Sequence, residues 1–293
     1  MLSIPDLSES QSAKGGTLYV VATPIGNLYD ITLRALGILK SVDVVAAEDT
    51  RHTAHLLSYF GIKSPLVSCH EFNEEGRSID LIKRLQNGES VALVSDAGTP
   101  AVSDPGFKLV SRVIREGMQV VPIPGVSAAI TALCASGLST DSFVFIGFLS
   151  RKKKRQKEQL EALKNERRTI IFYESPRRVV DLLQEIKGCF GDRNAVVARE
   201  LTKIHEEFIR GSVSDIIGKL NERNQIKGEC TVILAGATDE KPDMEMVLEE
   251  IEIKLSSGSI SPSHLSKELA EKYGLSRRII YEEILRKRER HNE

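Results

Sequence analysis

Carboxylates that could do proton chemistry recur in short polar motifs of this chain: Glu48 and Asp49 in AEDTR, Glu174 in FYESPRR, and Glu200 in ARELTKIHEE, while Asp96 and Asp104 stand beside glycine and proline in SDAGTPAVSDPG. A carboxylate or an imidazole such as His205 can take a proton from a weak nucleophile. The same groups also form salt bridges, Asp49 or Glu48 with Arg51 and Glu200 with Lys203, and that reading competes with catalysis at each position. His52 and His55 are three apart, too short a pattern to carry a metal site. There is no HExxH and the six histidines are scattered, so no metal is expected. The four cysteines lie far apart without a CxxC pair, each in or beside an apolar run, and read as reduced core residues.

Neither GxGxxG after the first strand nor GxxxxGK[ST] is present, which disfavours the ordinary dinucleotide fold and the P-loop. Three other loops stand out: ATPIGNLYDIT, SDAGTPAVSDPG and PIPGVSAAITAL. Each leads from an apolar, β-rich run into a helical segment. Glycine lets backbone approach a ligand closely and proline sets the loop shape. One such loop is an ordinary turn. Three at strand ends converge on one cleft, because open α/β sheets bind ligands at the carboxyl ends of their strands.

The elements that would hold these loops alternate. Strand-like runs such as TLYVVATP, VDVVAAED, SVALVSDAG and MQVVPIPG are separated by helix-period segments. Leu33, Leu36 and Leu39 mark one helix face, Ile79, Ile82 and Leu85 another. Asp104 and Pro105 read as the N-cap and first position of a helix to Glu116. A second cycle follows a break near Gly137–Asp141. It contains a basic helix from Arg151 to Glu166 and a helix opened by Pro176. After Ala237 the composition becomes helical, with TDEKPD as linker and Ile279, Ile280 and Ile284 facing inward in the last helix. A tight KYGLS turn between the last two helices has helix-turn-helix spacing. The expected architecture is α/β: a flexible tail at 1–14, α/β domains at 15–138 and 139–238 with a cleft between them, and a helical appendix at 239–293.

The chain has 293 residues, 41% of them apolar, enough for a sizeable core. Forty basic residues against forty-one acidic ones give a net charge of -1, which excludes a uniformly basic surface but not a local patch. RKKKRQK, residues 151–157, is the densest basic run. Arg151, Lys152, Lys153, Lys154 and Arg155 go all round a helix and oppose its dipole, so phosphate contact competes evenly with a plain solvated helix start. Arg177 and Arg178 could extend the patch, as could Arg51 and Arg77. Arg277 and Arg278, with Arg286, Lys287, Arg288 and Arg290, form a second one. No secretory signal or apolar stretch of membrane-spanning length is apparent, so a soluble cytoplasmic protein is expected.

Six motifs in unbroken order, TLYVVATPIGNLYDITLRAL, AEDTRHT, SDAGTPAVSDPG, PIPGVSA, FYESPRR and ARELTKIHEE, resemble the tetrapyrrole-methylase superfamily of S-adenosylmethionine enzymes, in its ribosomal-RNA branch. The resemblance runs from about Gly15 to Ala237. It implies 2′-O-methylation of a cytidine in the decoding region of 16S rRNA, within the small ribosomal subunit, by a homodimer. By similarity, Pro24 would floor the cleft. Asp96, Ala97, Gly98 and Thr99 would meet the methyl donor, with Ser103 and Asp104 nearby. Ser127 and Ala128 would line its adenosine side, and Glu174 and Ala198 would lie near it. Tetrapyrrole members usually carry a GDP-type loop where this chain has SDAGTP, which weakens transfer of porphyrinoid-binding residues. The base stays open among Glu48, Asp49, Glu174, Glu200 and His205. Rival functions are methylation of a small tetrapyrrole and a non-enzymatic DNA-binding regulator.

Overall fold

The computed structural model describes residues 12–237, 244–256, 261–273 and 275–291. Most of the expected tail (residues 1–11), the linker 238–243 and the side chains of Met246 and Arg290 lie outside the described residues.

The first five strands are β1 (Thr17–Val21), β2 (Val44–Ala47), β3 (Leu66–Ser68), β4 (Val91–Val94) and β5 (Gln119–Ile123). They form a parallel sheet of order β3-β2-β4-β1-β5. β2 and β4 are buried along their whole length, as strands covered on both faces must be. Helices α1 (Leu33–Ser41) and α2 (Thr50–Tyr59) pack on one face through Leu36, Leu39 and Leu57. α3 (Glu74–Gln86) and α4 (Phe107–Arg115) pack on the other through Leu81, Leu85, Leu109 and Val113. Neighbouring strands β1 and β4 therefore send their following helices to opposite faces. Their carboxyl ends open a crevice where doubly wound sheets take ligands.

The second sheet comprises β6 (Phe143–Phe148), β7 (Thr169–Glu174), β8 (Asn194–Arg199), β9 (Glu207–Ser212) and β10 (Cys230–Leu234), in the order β6-β7-β10-β8-β9. Only the β6–β7 pair is parallel. Alternation along β7 sends Ile170 and Phe172 to the face covered by α6 (Lys153–Leu163), α7 (Val179–Phe190) and α8 (Val213–Asn221). Ile171 and Tyr173 face α5 (Ala128–Cys134) and Ile25 instead. That second core joins the sheets, and both belong to one compact unit ending at Ala237. A separate unit holds α9 (Met244–Ser256), α10 (Pro262–Tyr273) and α11 (Arg277–His291) around Val247, Ile251, Leu265, Leu269, Ile280 and Ile284. No helix of the described residues is long and apolar enough to cross a membrane.

Several local expectations are corrected. Leu33, Ile79 and Ile279 are exposed. A three-residue step drifts 60° round a helix, so the buried arcs centre on Leu36–Leu39, Leu81–Ile82 and Ile280/Ile284. α4 starts at Phe107, with Gly106 at φ +129 as its N-cap. Asp104 stays in the loop, because Glu74 of α3 supplies the cap from a distance: its Oε1 accepts from Gly106 N–H and Leu109 N–H, both at 3.1 Å. α6 and α7 begin at Lys153 and Val179, later than proline and charge pattern indicated. Cys134 is exposed and Cys189 half-buried, so only Cys69 and Cys230 are core thiols.

Candidate functional site

At the crevice the loops after β1 and β4 are tied together. Thr23 and Gly98 exchange backbone hydrogen bonds, 2.8 Å from Thr23 N–H and 3.0 Å from Gly98 N–H. Thr23 Oγ1 donates to Ser95 O at 3.1 Å, and Thr99 Oγ1 donates to Val126 O at 3.3 Å in the third loop. The second sheet closes the space from the other side. Tyr173 on β7 accepts from Ala129 N–H at 3.0 Å, pinning the start of α5. A bulge at Phe145–Gly147 turns β6 against the β4 loop, where a Cβ on Gly147 (φ +69) would lie 2.4 Å from Ser103 Oγ. The β4 loop also holds Ala101 and Ser103 at φ +65 and +67, conformations non-glycine residues adopt only under constraint.

These contacts enclose a cavity of ≈ 380 Å³. Five carboxylates, Glu48, Asp96, Asp104, Glu174 and Glu229, line it, and no Lys, Arg or His does among the described residues. Asp96 N–H donates to Glu48 Oε2 at 3.3 Å, and Asp49 N–H donates to Asp96 Oδ1 at 3.0 Å. Burial, then the nearby Asp96 charge, pushes the Glu48 carboxyl above its ordinary range, against the Asp96 N–H bond. Asp104 is pushed up to about 7, chiefly by burial and then by the charges of Glu48 and Asp96. Glu174 is only 2% exposed. Its Oε1 accepts from Ser175 N–H at 2.7 Å and pairs with Arg178 at 2.5 Å, while its buried Oε2 has no partner.

Of the expected donor-site residues, Asp96, Ala97, Gly98, Thr99, Ser103, Asp104, Ser127, Ala128 and Glu174 are brought together around this cavity. Pro24 and Ala198 are buried outside its lining. Asp49 and Glu200 also fall outside it. Asp49 caps α2 and pairs with Arg51 at 2.7 Å, and Glu200 pairs with Lys203 at 3.0 Å, so both make the salt bridges weighed against catalysis. His205 is exposed, as are His52 and His55, and no metal-holding cluster of His, Cys, Asp and Glu occurs among the described residues. Sequence reasoning missed Glu229, Thr231 and Phe148. Phe148 and Thr231 lie on strands of the second sheet and Glu229 just before β10; the single glycines beside them, Gly147 and Gly228, read as ordinary turns and not as a ligand loop.

α6 starts five residues after the cavity-lining Phe148. Arg151, Lys152, Lys153, Lys154, Arg155 and Lys157 are exposed, and none is held in an ion pair among the described residues. Arg177 is likewise exposed, whereas Arg178 turns inward to Glu174. In the C-terminal unit the basic patch is largely engaged. Arg277 Nη2 donates to Ser263 Oγ at 2.8 Å, and Arg278 and Arg286 pair with Glu282 and Glu283. Lys287 pairs with Glu252.

Comparison with known proteins sets this geometry in a family. Residues 17–217 match the family model Tetrapyrrole (Corrin/Porphyrin) Methylases. The chain is 46% identical over 274 residues to "Ribosomal RNA small subunit methyltransferase I" of Bacillus subtilis (strain 168), covering 91% of this chain and 93% of that one. It is 47% identical over 271 residues to the protein of the same name from Synechocystis, covering 91% and 96%. Among solved structures, uroporphyrin-III-C-methyltransferase from Thermus thermophilus superposes with a TM-score of 0.55 at 22% identity, over 75% of this chain and 94% of that chain. A Thermus thermophilus uroporphyrin-III C-methyltransferase complexed with S-adenyl homocysteine gives 0.55 at 18% identity, over 75% and 97%. These distant likenesses establish the fold, and the close relatives establish the branch. The chain belongs to the tetrapyrrole methylase family and, within it, to the ribosomal RNA small subunit methyltransferase I group.

Proposed function

We propose that this protein transfers a methyl group from S-adenosylmethionine to the ribose 2′-hydroxyl of a cytidine in the decoding region of 16S rRNA, acting on the small subunit in the cytoplasm as a homodimer. One observation carries the reading: a cavity lined by carboxylates at the β1/β4 crevice, with an unpaired cationic arm close in sequence to its lining. The close relatives named for rRNA methylation supply the substrate class. The residues present fit a cationic donor. Five carboxylates line the cavity and, among the described residues, only Glu174 and Glu229 have a cation, Arg178 and Lys203, behind them. That excess of negative charge suits a positively charged ligand, and the buried, partnerless Oε2 of Glu174 can accept from one. The same cavity repels phosphate, so the RNA backbone must be held outside it. Arg151, Lys152, Lys153, Lys154 and Arg155, with Arg177, are free to do that, and Arg277 and Arg278 would add contacts only by exchanging their present partners.

When bound, S-adenosylmethionine supplies an electrophilic methyl on a sulfonium. The chain's own work is positioning and proton removal. Asp96, Ala97, Gly98 and Thr99, held by the Thr23–Gly98 bridge, present the donor-facing edge, and Ser103, Ser127 and Ala128 complete it. A ribose hydroxyl is a weak nucleophile, and a carboxylate with pKa near 7 is matched to accept its proton. Asp104 has that value in the donor-free protein and is held ionised, able to accept a proton, once the cationic donor is bound, with Glu48 and Glu174 beside it in the lining. The test is mass-spectrometric mapping of 16S rRNA from a strain lacking the gene. One ribose methyl should disappear and return when purified protein and donor are added to the isolated subunits. An unchanged map refutes the function.

A further inference from the structure

The hairpin between β8 and β9 carries a feature that neither the donor cavity nor the cationic arm uses. Ile204 is 97% exposed at the tip of residues 200–206. Around it the loop is heavily braced. Lys203 N–H donates to Glu200 O at 3.0 Å, Glu206 N–H to Lys203 O at 3.1 Å, and Thr202 N–H to Glu206 Oε2 at 2.6 Å. Leu201 is buried in the core between the sheets. Glu200 and Thr202 are held at φ +51 and +65. With Ala101 and Ser103 of the cavity loop they are the non-glycine residues at positive φ among the described ones. Constraint of this kind concentrates at functional segments.

The braced loop stands at the cavity. Lys203 pairs with cavity-lining Glu229 at 3.7 Å. Asn27 N–H donates to Thr202 Oγ1 at 3.0 Å, two residues after cavity-lining Ile25. A Cβ on Gly26 would lie 2.6 Å from Lys203 Cγ, so glycine there lets the two loops close on each other. A cavity of ≈ 380 Å³ that seats the methyl donor admits no duplex beside it, so a single displaced nucleotide must bring its 2′-hydroxyl to the cavity mouth. A ribose in folded RNA must therefore turn out of its stack to reach that mouth, and enzymes that extract a nucleotide pay for lost stacking. Apolar side chains inserted between bases supply replacement contacts. Ile204, between Lys203 and His205, is a fully exposed apolar side chain on this braced loop.

We propose that Ile204 is a wedge that enters the base stack of the substrate RNA beside the target nucleotide and holds it open while the ribose meets the donor at the cavity mouth. This rests on the RNA-methyltransferase reading above. The test is single-turnover methylation of unmethylated small subunits, from a strain lacking the gene, over a range of enzyme concentration. Ile204→Ala should lower the rate at saturating enzyme at least tenfold, with a much smaller change in the half-saturating concentration. Ile204→Leu should recover most of that rate. A loss confined to the half-saturating concentration marks a plain docking contact and overturns the wedge, as does no loss. A changed oligomeric state of Ile204→Ala in size-exclusion chromatography marks a subunit contact and overturns it too. Wild-type protein that methylates no RNA overturns the functional reading and the wedge together.

Discussion

Donor binding should be tied to the protonation of Asp104. Its carboxyl is pushed up to about 7 by burial and by the charges of Glu48 and Asp96, so half the free protein carries that proton at neutral pH. A cation entering the cavity favours the ionised form. At a separation of ~6 Å and an effective dielectric of ~20 the attraction is ~3 kcal/mol, roughly a hundredfold in Kd. The sign follows: affinity is highest above pH 7 and weakens as pH falls through 7 and Asp104 becomes neutral. Binding near pH 7 should release about half a proton, the share protonated in the free protein. Titration calorimetry of S-adenosylmethionine in two buffers of different ionisation enthalpy reads this directly. Asp104→Asn should abolish both the proton release and the affinity change between pH 8 and pH 6, and should also slow methyl transfer. Equal proton release by wild type and Asp104→Asn would refute the electrostatic argument.

Other expectations rest on separate contacts. Gly147→Ala places a Cβ 2.4 Å from Ser103 Oγ, at a backbone φ of +69, and should weaken donor binding as Ser103 and the β4 loop shift, with an added backbone cost of ~1–2 kcal/mol seen as a lower Tm. Glu74→Ala strips the acceptor from Gly106 N–H and Leu109 N–H at the buried start of α4, and should cost ~1–3 kcal/mol in urea unfolding. Replacing Arg151, Lys152 and Lys153 together with alanine should lower the slope of log Kobs against log salt for RNA by about 2, with donor affinity intact. Cys69 and Cys230, pushed up to about 11 and about 12 mainly by burial, should resist a thiol reagent at pH 7.5 in the native protein, while exposed Cys134 reacts.

The loops of the first sheet were legible because their signals are local. Glycine and proline in SDAGTPAVSDPG mark a turn whatever surrounds it, and eight residues of these loops that the family resemblance placed at or near the donor do line one cavity. Helix faces were less so. The sequence pattern names apolar positions, but which arc is buried depends on where the sheet lies, and Leu33, Ile79 and Ile279 turned out to solvent. Of the second sheet only Glu174 was legible, through the family resemblance of FYESPRR. Glu229 reaches the cavity just before β10, tied to Glu200 N–H through its carbonyl, and Phe148 through the β6 bulge, which no short motif announces.

By itself, then, the order of residues determined the alternation of strands and helices, the strand-end loops and the basic run at 151–157, since each depends on periodicity or composition within about a dozen positions. Tertiary structure decided which carboxylates act on one another. Asp96 meets Glu48 from forty-eight positions away, and Glu74 caps a helix thirty-two positions ahead. It also decided that Asp49 and Glu200 are spent in ion pairs, that Asp104 holds its proton near pH 7, and that Ile204 stands in solvent on a braced loop. Desolvation and through-space charge are sums over neighbours, and the chain acquires those neighbours only by folding.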